Sequence, residues 1–364
     1  MNVNFNVDFN KEMKESTVKA FFALLRAGLW EKEVCLSQLG EVDYNVVLRL
    51  AEEQSVVGLI AAGLEHVTDV RIPKDVTLQF VGQTLQLEQQ NIAMNGFIAK
   101  LVNKMRTAGI YTLLIKGQGI AQCYERPLWR TCGDVDFLLS KDNYEKAKNY
   151  LLPLSSDNKQ ERKYSKEIGL NIGEWLVEIH GTQRTGLSDR IDKGVDATLN
   201  EIFNNGSVRS WMNDSIQVFL PEVDEDVFLV FTHFVKHFYK EVIGLRQICD
   251  WCRLMWTYRG QINDRLLGQR LRNAGLMAEW CAFAAFDVDY LGMPAGAIPL
   301  YCEGKRWNKK GVIIANHIVQ GRVGSRFSSA LANFNLFPLK TLEYMPGILF
   351  DTTWLKVKEK LYKK

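Results

Sequence analysis

Cysteine is sparse and unpatterned in this chain. Seven are scattered at wide spacing among 364 residues, an odd number. That excludes a disulfide framework and fits free thiols in a reducing compartment, with a cytoplasmic location as the default expectation. An excess of one charge is also missing. The 45 Lys+Arg and 42 Asp+Glu leave a formal charge of +3, too weak a field for a polybasic nucleic-acid binder. No window offers the ~18 uncharged apolar residues of a membrane span. The richest stretch, Trp280 to Tyr301, is interrupted by Asp287 and Asp289, so no membrane partner is expected. The opening MNVNFNVDFNKEMKE lacks an apolar h-region, and no secretory signal is expected there. Internal repeats, low-complexity tracts and Pro/Gly/Ser linkers are absent too. What remains is ordinary globular composition, 47% apolar and 24% charged, on a chain long enough to bury a core without disulfides or metal.

Hydrophobic spacing divides the chain into three textures, and the fold class expected is α+β: a small mixed β-sheet core flanked by two all-helical regions. Residues 1–95 form the first helical region. Val18, Phe21, Phe22, Leu25 and Leu29 fall on one helical face. Val46, Val47, Leu50, Val57, Ile60 and Leu64 make a second stripe. Pro73 and Asp75 open a long helical pattern that Gly109 stops. Residues 96–222 carry the sheet. Ile110 to Ile115 and Val135 to Leu139 have strand character, Ser140 is a good cap for a helix to Leu151, and Arg162 to Ile168 with Trp175 to Ile179 suits an antiparallel pair. Residues 223–364 are helical again, with Val227 to Tyr239 apolar nearly all round and therefore buried.

The tripeptide Asp134-Val135-Asp136 carries the most chemistry. On a strand, residues i and i+2 share a face, so the two carboxylates project side by side while Val135 faces the core. Adjacent anions call for a cation, and a hard divalent ion such as Mg²⁺ takes oxygen ligands while keeping waters for phosphates. Upstream, a strand ends in the turn Lys116-Gly117-Gln118-Gly119 before a short helix. Glycines let backbone approach a phosphate, and Lys116 adds a point charge. Downstream, Glu178 and His180 share one face of Trp175 to His180, and an ionised Glu inside an apolar strand needs a partner such as a shared metal.

The string Lys116-Gly117, Tyr124, Arg130, Gly133 to Leu139 and Val177-Glu178-Ile179-His180 resembles the uncharacterised nucleotidyltransferase family of the polymerase-β-like superfamily. It is also similar to nucleotidyltransferase toxins that carry a Lys-Gly-Gly turn and an Arg-x-x-x-Asp-x-Asp strand. The resemblance covers about residues 96–255. It implies an NTP substrate and two Mg²⁺, with Mn²⁺ a possible substitute, held by Asp134, Asp136 and Glu178 as the catalytic and metal-binding acids. It implies that the turn, Lys116, Gly117 and Gln118, holds the triphosphate. The usual superfamily turn is Gly-Ser, and the gap from Gly117 to Asp134 is longer than usual, so phosphate handling falls to Lys116 and Arg130 rather than to a serine hydroxyl. The same resemblance puts His180, His233, Lys236, His237, Arg246 and Asp250 on the wall of the cleft. The reaction implied is transfer of a nucleoside monophosphate to an unidentified hydroxyl or phosphate acceptor, with tRNA, a protein side chain and a small molecule all open.

Blander readings stand beside these. His233 and His237 are an i, i+4 pair, but Phe234 stands where a zinc protease needs Glu, and no third ligand is visible. A buried His–Asp pair packing two helices is the plain alternative for His233, His237 and Asp250. Cys249 and Cys252 lack the second Cys pair of a zinc site and read as core thiols. The basic segment from Trp354 reads as a solvated helix end. The other functional classes are a non-catalytic nucleotide- or RNA-binding module on the same fold, against which the intact acids argue, and an interaction protein of the toxin–antitoxin kind.

Overall fold

The computed structural model of the chain describes residues 14–157, 160–241, 243–319 and 333–345. The opening segment and the basic segment from Trp354 lie outside the described residues. Helix α1, Glu15–Trp30, buries the stripe expected of it: Val18, Phe21, Phe22, Leu25 and Leu29 are all nearly inaccessible. The second stripe is carried by two helices. Helices α2, Tyr44–Glu53, and α3, Val57–Glu65, are separated by a turn in which Ser55 has φ 56°. Helix α3 lies so close to α1 that a Cβ on Gly63 would sit 2.0 Å from the Leu24 carbonyl oxygen. Helix α4, Lys74–Thr107, then runs 34 residues. Val76 and Phe80 near its start join the helical core, while Met94 to Met105 pack on the sheet. It gives way at Gly109, at φ 71°, as expected.

Strand β1, Leu113–Ile115, is shorter than the apolar run suggested and leads into helix α5, Gly117–Ala121. Strand β2 is Asp134–Leu138, and Ser140 caps helix α6, Lys141–Leu151. Strands β3, Glu167–Ile172, and β4, Trp175–His180, complete a four-stranded mixed sheet ordered β1-β2-β4-β3. β2 is antiparallel to β1 and parallel to β4, and β3 is antiparallel to β4. The antiparallel pair is therefore present, but its first strand lies further along than expected. Arg162 makes only an isolated bridge to Glu167, and Gly169 and Asn171 sit inside β3. Gly169 pairs across the ladder with Glu178, and a Cβ there would come within 3.3 Å of Leu176.

Two elements had no counterpart in the sequence reading. Helix α7, Asp189–Asn205, is capped by Ser188 and closed by Gly206 at φ 67°. A hairpin of β5, Val208–Asn213, and β6, Ile216–Pro221, follows it. The remaining α-helices with described bounds are α8, Val223–Lys240; α9, Leu245–Thr257; α10, Asp264–Ala274; α11, Met277–Phe286; α12, Lys305–Val319; and α13, Pro338–Tyr344. A π-helical turn, Asp287–Leu291, continues directly from α11. Edge-on aromatic contacts tie these helices together. Trp251 and Trp280 have ring centroids 4.7 Å apart, and Phe231 sits 4.8 Å from Trp280. The first helical region shares this core, with Phe22 of α1 against Tyr290 at 5.2 Å. No described helix is long and apolar enough to cross a membrane.

Candidate active site

The central pair of strands builds the site. β2 and β4 run parallel with Asp136 opposite Glu178 and Leu138 opposite His180. Side chains alternate along each strand, so Asp134, Asp136, Glu178 and His180 all project from one face of the sheet. Val135, Phe137, Val177 and Ile179 point the other way into the core and are fully buried. Asp136, Glu178 and His180 each bring a ligand atom within 4.8 Å of the other two. His180 Nε2 lies 2.8 Å from Asp136 Oδ1 and 3.7 Å from Glu178 Oε2. Lys116, at the end of β1, places Nζ 3.1 Å from the same Asp136 oxygen. Asp134 is half-buried at the mouth of this group and stands outside the compact trio.

Neighbouring charges shape the ionisation of the trio. Burial alone would raise the Asp136 carboxyl, but the Lys116 ammonium and the His180 contact outweigh it and hold it well below the usual carboxylate range. Burial would likewise lower Lys116, yet Asp136 above all keeps it charged, its pKa raised. Asp134 and Glu178 are pushed up, first by burial and then by the Asp136 charge. Glu178 accepts no hydrogen bond from a described residue, so its lone pairs stay open toward the cleft. Two carboxylates and an imidazole at these separations are a donor set that suits a divalent cation.

The backbone that delivers Lys116 is unusual. Lys116 has φ 57°, ψ −146°, and Gly117 follows at φ 38°. A Cβ at Gly117 would stand 3.2 Å from the Cys132 sulfur and 3.5 Å from the Asp134 carbonyl oxygen. This is the turn the sequence marked, and glycine is what lets β1 swing its lysine over β2.

Facing the acids across a cavity of about 250 Å³ is helix α8. Val230, His233, Phe234, Lys236 and His237 line it from that helix, with Arg246 and Asp250 contributed by α9. His233 and His237 bring their Nε2 atoms to 2.9 Å, and His237 Nδ1 reaches Glu241 at 2.5 Å. Burial, followed by Lys116, pushes His233 well below its ordinary range. Burial lowers His237 as well, although Glu241 opposes it. Both rings are thus largely neutral at pH 7, one donating to the other.

Several sequence-derived assignments change. Gln118 does not reach the cavity: it is 1% exposed, and its Nε2 donates to Asn91 Oδ1 at 2.7 Å on the far side of α5. Of the turn residues, Lys116 and Gly117 line the cavity. Arg130 lines the cavity, but its fork is engaged. Nε and Nη2 donate to Asp250 at 2.8 and 2.6 Å, and Nη1 donates to the Thr131 carbonyl. Asp250 accepts from Tyr124 as well, at 2.7 Å. Asp250 is thus the anchor of a buried network rather than a partner of the two histidines. Lys240, one turn beyond Lys236 on α8, turns away to donate to the carbonyls of Thr185 and Gly186. The sequence reading did not foresee Arg162, Arg184 and Glu167 at the rim, or Val230 and Phe234 as the apolar wall. Only His180's even-numbered spacing from Glu178 signalled its place, and it was assigned to the wall rather than to the donor trio.

The family described as uncharacterised nucleotidyltransferase matches residues 40–286. No curated protein matches the chain. No solved structure matches it either. The match spans more than half of the chain, and the chain belongs to that family. Nucleotidyl transfer is the general activity this membership supports, and the trio of Asp136, Glu178 and His180 is compatible with the metal binding such transfer uses.

Proposed function

We propose that this nucleotidyltransferase moves a nucleoside monophosphate from an NTP to a hydroxyl or phosphate acceptor and releases pyrophosphate. The observation that carries this reading is the parallel register that sets Asp136 beside Glu178 on the cavity floor, with Lys116 arching over them. In this reading Asp134, Asp136 and Glu178 are the catalytic and metal-holding acids, and two divalent ions, Mg²⁺ by the preference of carboxylate ligands, are the cofactor. When bound, such ions neutralise charge on the triphosphate and lower the pKa of an attacking hydroxyl.

The chain's own residues do the rest. Lys116 donates to phosphate oxygens from the β1 turn, and Gly117 lets the backbone come close to them. Arg246 and Lys236 face the same space from the opposite wall and offer charge to the departing pyrophosphate. Val230, Phe234 and Ile120 supply the apolar surface that a base needs. His233 and His237, neutral and hydrogen-bonded to each other, present polar edges without adding charge. The acceptor oxygen forms a bond to the α-phosphorus as the bond to the α–β bridging oxygen breaks. The electron pair leaves with pyrophosphate, and the acceptor's proton passes to a cleft carboxylate. Positioning and fixed charge account for the rate more than any covalent step does.

The test is to incubate the protein with each α-labelled NTP, a divalent cation and cell extract. Label should transfer to a macromolecule or metabolite in step with pyrophosphate release, and Asp136→Asn should abolish both. A wild-type protein that binds no NTP in the presence of Mg²⁺ or Mn²⁺ refutes the reading.

A further inference from the structure

Resting on the metal-assisted reading above, we infer that His180 is itself a nitrogen ligand to the ion held by Asp136 and Glu178, and that this position favours a first-row transition dication over Mg²⁺. The geometry differs from that of an all-acid site. His180 Nε2 faces both carboxylates, 2.8 Å from one and 3.7 Å from the other. Donors bound at about 2.0–2.2 Å to one ion stand roughly 3 Å apart when adjacent. His180 and Asp136 therefore have the spacing of neighbouring ligands before any ion is added, and Glu178 stands within 4.8 Å of both. Asp134, by contrast, is outside the trio and leaves an oxygen-only position beside Asp136. That position suits the magnesium that accompanies a triphosphate.

The other ring nitrogen supports the same assignment. His180 Nδ1 lies 4.0 Å from the Glu167 carboxylate, beyond hydrogen-bond distance but on the side of the ring away from the trio, and Glu167 is held by Arg162 at 2.9 Å. A carboxylate behind the distal nitrogen is the usual companion of a metal-bound histidine, because it fixes which nitrogen carries the proton. Without an ion, Nε2 donates to the ionised Asp136 at 2.8 Å; an ion that binds there displaces that proton, leaves the remaining one on Nδ1, and takes the Nε2 lone pair between Asp136 and Glu178. The opposing possibility is that Nε2 keeps its proton and merely orients Asp136. The two differ in whether nitrogen touches the metal. Imidazole raises affinity for transition dications, whereas Mg²⁺ prefers oxygen and dehydrates reluctantly.

The experiment uses the metal-stripped full chain with Mn²⁺ alone as probe. Electron spin-echo modulation of bound Mn²⁺ reads directly bonded nitrogen. The wild type should show imidazole modulation, altered by ¹⁵N-histidine labelling, and His180→Gln should lose it while His233→Gln retains it. Competition should require about 10- to 100-fold more Mg²⁺ than Mn²⁺ for half displacement from the wild type, a margin lost in His180→Gln. Bound Mn²⁺ without nitrogen modulation in the wild type overturns the inference and leaves the proposed reaction standing. No Mn²⁺ binding at all overturns both. Because the labelled wild-type spectrum decides the point alone, a variant that fails to fold does not blunt the test.

Discussion

Removing the carboxylate of Asp250 should cost this protein more stability than almost any other single truncation near the cleft. Asp250 and Arg130 are 7% and 5% exposed at their side chains, paired through two hydrogen bonds, with the Tyr124 hydroxyl on the same carboxylate. Burial pushes the Tyr124 phenol up, and the Asp250 charge adds to the effect. Asp250→Ala leaves a guanidinium buried without its counter-ion, a loss of about 3–5 kcal/mol. It also leaves a phenol without an acceptor, worth roughly another 1–3 kcal/mol when counted alone. Arg130→Leu strands the carboxylate in the same way and should cost a similar ~3–5 kcal/mol. Independent effects would then sum to roughly 6–10 kcal/mol in the double variant. Because each single change mainly exposes the other partner as unpaired, the double variant should instead cost about as much as one single, a coupling of at least ~3 kcal/mol. Urea unfolding followed by tryptophan fluorescence suits the measurement, since Trp251 is the next residue and fully buried. Additivity within ~0.5 kcal/mol, or a loss below ~1 kcal/mol for Asp250→Ala, would refute the network as described.

Other outcomes follow from the same structure. Gly63→Ala must force α1 and α3 apart, because the new methyl would lie 2.0 Å from the Leu24 carbonyl oxygen; a drop of about 1–3 kcal/mol or more is expected, and an unchanged denaturation midpoint would contradict the packing. Asp287 is wholly buried, and burial far outweighs the nearby Cys252 thiol, so its carboxyl is pushed well above the ordinary range. The unfolded chain then ionises first: stability is full below about pH 4 and falls by up to ~1.4 kcal/mol per pH unit as pH rises toward the folded value. Asp287→Asn should flatten that slope, and identical pH profiles of unfolding would show the group is not buried as described. Lys116→Ala should weaken NTP binding roughly 10- to 100-fold through loss of a charged hydrogen bond, with unchanged affinity by calorimetry removing it from the site. Asp136→Asn should cut pyrophosphate release by roughly a thousandfold or more while retaining a native circular dichroism spectrum.

The acids were legible because a strand has period two. Asp134, Asp136, Glu178 and His180 could be placed on shared faces from numbering alone. That β2 and β4 run parallel and in register, so that Asp136 meets Glu178, is a property of the whole sheet and of no local segment. Helix α7 is the opposite case. Ile191, Val195, Leu199 and Ile202 repeat at helical spacing between Ser188 and Gly206, and all four are buried. The signal was present but lay under a run rich in Asp and Asn. The break between α2 and α3 had no local signal. Its cause is distant: Gln54 turns inward, accepts the backbone N–H of Leu245 on its side-chain oxygen and that of Arg246 on its carbonyl, and donates to the Ile318 carbonyl. One residue at the end of α2 thus satisfies free N–H groups in the first turn of α9, and a continuous helix could not offer it.

Arg130 shows where local reasoning about charge stops. An arginine in a loop before an acidic strand looks available to a phosphate, and its spacing from Asp134 strengthens that impression. Availability depends on the counter-ion, which lies 120 residues away on α9. Once Asp250 holds both faces of the fork, moving Arg130 to a ligand would have to unpair a buried carboxylate. That cost of several kcal/mol exceeds what one exposed phosphate contact returns. The network instead fixes the segment from Arg126 to Gly133 against α9: Arg246 donates to the Thr131 carbonyl, and Asn91 Nδ2 donates to the carbonyls of Leu128 and Arg130. Asp134 follows directly on that pinned segment. The charge that the resemblance assigned to the substrate is therefore used to hold the strand that carries the acids, while Lys116 faces the cavity from the sheet side, Lys236 and Arg246 from the helices, and Arg162 and Arg184 from the rim.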